Sequence, residues 1–226
     1  MAARFKMDIQ DTIIYRVRKL RQRHDELVER SQGKGLALRA GEVLRTYPHV
    51  ESIYEALKDK YEYADQDYTV LVPQCIEEII LEGENLHHCL GSSDRYWDRI
   101  ERQESYVLFL RRSSDINKAY YSLEIEPDGT VRQKRTMYDR QEADIMEATK
   151  FLKKWQKVVA KRITNAELEL AKASRVLREQ EFLQMKADRV VIQVGELAGK
   201  PLADVLMADL MENQELISYP TLLKSA

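Results

Sequence analysis

The stretch Pro73–Gly91, PQCIEEIILEGENLHHCLG, decides how the rest of the chain is read. Ile76, Ile79, Ile80, Gly83, Leu86 and Leu90 recur at intervals of three and four, which draws one apolar stripe on a 3.6-residue period. Pro73 suits a helix entry, where a missing N–H costs little. Glu77 and Glu78 fall near the positive end of the dipole, and Gly91 suits the left-handed position past a last turn. The spacing predicts a helix over 73–91. On such a helix His87 lies inside the stripe and meets a sheet, Cys89 lies on its flank, and His88 points to the opposite side. The three aim at one point only if the helix unwinds at His88.

Outward from this helix, the pattern alternates between strand and helix signals. YTVLV (68–72) is β-branched and aromatic and ends at a proline, the signature of a strand. Ser93 can cap a short helix through Arg102, with Tyr96, Trp97 and Ile100 clustered. YVLFL (106–110) is apolar on both faces and belongs in the middle of a sheet. Ala119–Glu126 and Thr130–Thr136 form a hairpin around Pro127, Asp128 and Gly129. In its second strand Val131, Gln133 and Arg135 share one face. That strand is either a charge-protected edge or a presenter of Gln133 and Arg135 to a polar site.

Helical periodicity covers Met7–Glu29, Leu36–Leu44, Val50–Tyr61, Gln141–Val159, Thr164–Lys186 and Leu202–Met211. SQGKG (31–35) reads as a break between the first two, VVIQV (190–194) as a short strand, and TLLKSA (221–226) as a frayed tail. His24 and His49 read as surface or structural residues.

Composition bounds the function classes. The chain has 226 residues, a formal net charge of −2, a third of its residues charged and two cysteines. No apolar run approaches the roughly 20 residues of a membrane span, and the N-terminus lacks a signal-peptide core. Two cysteines make no disulfide framework, so a reducing cytoplasm is expected. No phosphate-cradling glycine motif or repeat is present.

The HHC run places base, nucleophile and metal-ligand types together, and each chemistry makes a demand on geometry. A metal needs three or four converging ligands. On a continuous helix His87 and Cys89 diverge, and Cys75 lies about 21 Å from Cys89, so neither a metal nor a cofactor is expected. A thiolate needs a lowered pKa, whereas the negative end of a helix raises one. That leaves Cys89 either a buried cysteine or a nucleophile working against its setting. A histidine is the stronger chemical candidate: His87, with Glu124 orienting its ring and Gln133 and Arg135 beside it, makes a polar pocket suited to phosphate, base edges or acid–base work.

The run from Tyr68 to Gln141 resembles the PcfJ-like family of conjugative plasmids and integrative elements in Gram-positive bacteria. The residues that carry it are YTVLVP (68–73), LHHCLGSSDRYWDRI (86–100), ESYVLFLRR (104–112), YYSLEIEPDGTVRQKR (120–135) and YDRQ (138–141), continuing through FLKKW (151–155) and LMADLMENQ (206–214). LHHCLG stands where the family has LHHCVG, and Asp139 where it has asparagine. The resemblance implies a mobile element in a bacterial cytoplasm, relatives longer than this chain, and no settled reaction.

These readings predict an α+β fold, a small, mainly antiparallel sheet of about four strands packed by helices. A helical extension over 1–35 precedes a core over 36–159, and a helical region over 160–226 follows. The first functional expectation is an accessory protein that associates with nucleic acid or a nucleic-acid-processing protein, and not with membrane. Its binding candidates are Arg95, Arg99, Arg111, Arg112, Arg132, Lys134, Arg135, Glu124 and Tyr138. The second is a hydrolase or nuclease using His87 or His88 with Cys89 and Gln133. The third is a protein-binding regulator, such as an inhibitor of a host nuclease.

Overall fold

The computed structural model describes residues 33–193 and 197–214. The helix expected over Met7–Glu29, His24 and the TLLKSA tail lie outside the described residues. The chain divides after Glu42, and every strand lies in the unit from Val43 onward. Helix α1 occupies residues 33–46, so Gly33 to Gly35, expected to break a helix, lie within one. Helix α2 (Val50–Tyr61) follows, then strands β1 (Tyr63–Ala64) and β2 (Tyr68–Leu71), helices α3 (Ile76–Leu86) and α4 (Asp94–Glu101), and strands β3 (Tyr106–Arg112), β4 (Tyr121–Ile125) and β5 (Val131–Arg135). A short turn, Met137–Asp139, leads to α5 (Ile145–Arg162), α6 (Asn165–Ala187) and α7 (Leu202–Gln214).

The strands form one antiparallel sheet in sequence order, β1-β2-β3-β4-β5. The α+β expectation holds, and the additional strand is the two-residue β1, too short for a periodic signal. YVLFL lies at the sheet's centre as predicted. No strand forms at 190–193; Val191 makes an isolated bridge to Pro201, without a second strand residue to extend the ladder.

Strand alternation gives the sheet two different faces. Tyr121, Leu123 and Ile125 pair across β3 with Leu110, Leu108 and Tyr106, all buried. This apolar face is covered by α5: Phe151 packs on Tyr68, and Trp155, fully buried, donates from its indole N–H to the Tyr61 carbonyl at 2.6 Å. Truncating such a tryptophan costs about 3–5 kcal/mol. Tyr54 of α2 completes β3 where β2 has ended, accepting from the Val107 N–H at 2.9 Å and donating to its carbonyl at 3.1 Å.

The opposite face carries Arg111, Ser122, Glu124, Gln133 and Arg135. It is buried too, beneath α3, α4 and α6, so its charges must be paired. Arg111 forms a two-pronged pair with Glu82 of α3. Glu124 accepts from Arg99 of α4 at 2.8 Å, from Ser105 at 2.7 Å and from Gln133 at 2.6 Å.

Candidate functional site

Helix α3 ends one turn earlier than its apolar stripe. His87 takes the left-handed conformation (φ 51°, ψ 46°); its N–H donates to the Glu84 carbonyl at 3.3 Å and that of His88 to the Gly83 carbonyl at 3.1 Å. This is a Schellman stop with histidine in the place glycine usually takes. The chain then folds back on the helix it has just left. A Cβ on Gly83 would overlap the Leu90 carbonyl, and one on Gly91, itself at φ 78°, would lie 2.7 Å from the Ile80 Cα. The two glycines let backbone pack on backbone.

That reversal corrects the placement of the HHC run. His87 is exposed and does not enter the sheet. His88 turns inward instead, with Nε2 3.1 Å from the Ser122 hydroxyl. The rule of 100° per residue stops applying once a residue leaves helical φ/ψ. Glu124, expected to orient the His87 ring, is held by Arg99, Ser105 and Gln133.

The proton inventory around His88 is determined by its neighbours. Leu90 N–H donates to Nδ1 at 3.4 Å. The neutral ring therefore carries its proton on Nε2 and donates to Ser122, whose hydroxyl donates to the Arg135 carbonyl at 3.3 Å. Burial pushes the His88 pKa down, and the charge of Asp139 opposes this only in part. In this arrangement His88 supplies a hydrogen bond to Ser122 and does not accept its proton.

His88, Tyr96, Ser122, Glu124, Gln133, Arg135 and Asp139 line a small recess with room for about one water. Gln133 Nε2 also reaches the Tyr96 hydroxyl at 3.3 Å. Cys89 lies beside this recess and is exposed as a residue. Loss of water around its sulfur, with Asp139 nearby, nevertheless pushes its thiol above the ordinary value, and a hydrogen bond to Tyr96 offsets only part of this. Among the described residues, no group of three His, Cys, Asp or Glu could hold a metal ion.

Next in sequence to His88 and Asp139 of the recess, His87 and Tyr138 form a stacked ring pair. The His87 and Tyr138 rings stack at 5.1 Å and 13°, and Tyr138 is 60% exposed. Tyr138 and Asp139 both have positive φ, and Arg140 N–H donates to the Met137 carbonyl at 3.2 Å. Two successive positive φ values closed by that bond are the pattern of a turn that favours Asn-Gly. The Arg140 guanidinium stands 5.9 Å from the Tyr138 ring centroid. Strained backbone of this kind persists where the surroundings hold it, and it concentrates at functional surfaces.

The remaining candidates are paired within the fold. Arg99 and Arg132 are buried among Glu104, Glu124, Glu126 and Glu181, and Arg111 is on Glu82. Arg95 pairs with Glu181 at 2.7 Å, Arg135 with Asp209, and Arg112 with Asp144 at 3.2 Å. Lys134 is fully buried beside Leu123 on the apolar-face register. Ser122, Tyr96 and Arg140 are absent from the site residues expected from the sequence, and Asp139 enters there only as a departure from the family pattern. Asp139 carried a readable signal, since Asp and Asn tolerate left-handed backbone; Glu181 and Asp209 carried none.

A family model described as PcfJ-like protein matches residues 1–149. The chain belongs to the PcfJ-like family. The family match includes the HHC turn, the sheet and the Tyr138 turn, and it ends before α6 and α7. The chain is also similar to an uncharacterized protein of Listeria innocua serovar 6a (Lin1253/Lin1744), 29% identical over 96 residues, which is 42% of this chain and 20% of that relative. The matched stretch thus spans about a fifth of that longer relative. No solved structure matches the chain. No helix among the described residues is long and apolar enough to cross a membrane.

Proposed function

We propose that this PcfJ-like chain is a mobile-element accessory protein of the bacterial cytoplasm that associates with nucleic acid, and that it takes unpaired nucleotides on the surface around His87 and Tyr138. The observation that carries this reading is the exposed, nearly parallel ring pair held by two left-handed turns, with the Arg140 guanidinium beside it. Every base has a π-face, so such a platform takes bases without demanding a sequence. Pre-set backbone also removes part of the ordering cost of binding. The hydrolase reading has less support, because the His88 ring donates to Ser122 and the Cys89 thiol is pushed up.

Fluorescence anisotropy with labelled single-stranded DNA or RNA of about 20 nucleotides tests the proposal. The expected result is binding that weakens steeply as salt rises, as phosphate contacts require, and that is stronger than binding to a duplex of the same length. Absence of binding to single strands at low salt overturns it.

A further inference from the structure

Three arginines on the buried-polar side of the core have carboxylate partners delivered from outside the family-matched span. Glu181 of α6 bridges Arg95 and Arg99 of α4, at 2.7 Å to the first. Asp209 of α7 pairs with Arg135 of β5 and also accepts from the Gln141 side chain at 3.2 Å. Arg135 and Gln141 flank the turn that carries Tyr138, and Arg135 lines the recess beside His88 and Asp139. Arg95 adjoins Tyr96, which lines the same recess, and its buried Nε–H has no hydrogen-bond partner.

The way α6 is attached points the same way. Its buried residues are Glu167, Ala171, Ser174 and Arg178, so little apolar area holds it down. It docks by charge: Arg178 on Glu126, Arg175 on Asp128, Glu181 on Arg95 and Arg99, and Ser174 accepting from Arg132 at 2.7 Å. Glu126 Oε2 and Arg178 Nε remain buried without a hydrogen bond, so the packing is imperfect where the ions meet. A helix held by exchangeable ion pairs is one that a polyanion can compete with.

We infer that α6 and α7 are an acidic cap on the nucleic-acid surface, in which Glu181 on Arg95 and Arg99, and Asp209 on Arg135, occupy positions that backbone phosphates take when the cap is displaced. The inference rests on the function proposed above. In it, bases stack on His87 and Tyr138 while the phosphates on either side replace the two carboxylates. Arginine suits both partners, since its planar fork matches carboxylate and phosphate alike.

The test compares the full chain with its Glu181→Gln, Asp209→Asn double variant, binding labelled single-stranded DNA of about 20 nucleotides across a salt series. The expected result is affinity about tenfold higher in the variant, with a similar salt dependence, because the phosphates held in the complex are the same once the cap is displaced. Equal affinity overturns the cap and leaves the proposed function standing, weaker binding by the variant overturns the cap, and no binding by either overturns both. If the variant loses its cooperative melt, hydrogen exchange of the wild-type chain decides: loss of protection in α6 and α7 on adding the DNA supports the cap, and unchanged protection overturns it.

Discussion

The His87 and Tyr138 rings stack at 5.1 Å from two separate turns, each of which holds its aromatic residue at positive φ. Histidine enters that backbone more readily than tyrosine, but each costs roughly 1 kcal/mol relative to glycine. Strain is therefore present where the rings meet. His87→Gly is expected to stabilise the fold by about 1 kcal/mol in urea titrations, because glycine suits a Schellman stop. The same variant should bind single strands more weakly. Loss of stability instead would show that the imidazole is a packing element.

Tyr138→Ala is expected to weaken single-strand binding about tenfold or more, since one stacked base contributes about 1–3 kcal/mol. Tyr138→Phe should bind like the parent, because the ring face and not the hydroxyl does the stacking. Equal affinities for Ala and Phe, measured by anisotropy, would remove Tyr138 from the surface.

The two glycines Gly41 and Gly83 both lie in helices but should respond in opposite ways to alanine. Among the described residues nothing lies within 4 Å of a Cβ on Gly41, whereas on Gly83 it would overlap the Leu90 carbonyl. Gly41→Ala should raise stability by about 0.5–1 kcal/mol. Gly83→Ala should cost about 3 kcal/mol or more, since backbone must move. Similar melting curves for the two variants would mean that the return of the HHCLG segment onto α3 is loose.

Glu124 makes the core acid-sensitive. Burial alone would raise its pKa, but Arg99, Arg132 and the Ser105 hydroxyl override it and hold the carboxyl at about 2. A depressed carboxylate stabilises the fold fully above its ordinary value of 4.5, and this is lost as pH falls toward about 2. Roughly 3 kcal/mol is at stake. Glu124→Gln should cost about 3 kcal/mol at neutral pH by removing the carboxylate that Arg99 and Arg132 share, although Glu104, Glu126 and Glu181 still pair with them. It should also flatten the acid limb of stability against pH, and an unchanged limb would assign it to other carboxylates.

His88 acts at milder pH. Its pKa lies below the usual 6.5 because the ring is buried. The unfolded chain therefore takes up the proton first, and stability present above pH 6.5 is lost as pH falls below it toward the folded pKa. His88→Asn, whose amide oxygen can take the place of Nδ1 toward Leu90, should remove this component from urea midpoints. Cys89 should alkylate slowly at neutral pH despite its exposure, and faster only above the ordinary thiol range. Rapid labelling at pH 7 would revive the nucleophile reading.

The sheet was legible because its signals are local. Alternation in YSLEI and the Pro127-Asp128-Gly129 turn each span a few residues, so β4 and β5 appear within two residues of their predicted ends. The end of α3 was not legible, because its apolar stripe runs on through Leu90 while its helical backbone stops at Leu86. What stops it is a fit between residues seven apart, Gly83 against the Leu90 carbonyl. The basic residues misled for a related reason: a sequence shows charge, and burial decides whether that charge faces a ligand or a neighbour. Arg99, Arg111 and Arg132 are each covered by a helix whose carboxylate or hydroxyl partner lies far away in the chain.

By itself the sequence determined the α+β class, the central place of YVLFL and the β4–β5 hairpin, since periodicity and turn chemistry depend on near neighbours. Only the tertiary structure decided that His88 enters the sheet face, that His87 meets Tyr138, and that Glu181 and Asp209 close on the arginines. Those outcomes depend on backbone reversal and ion pairing between segments remote in sequence, and such contacts have no local pattern to read.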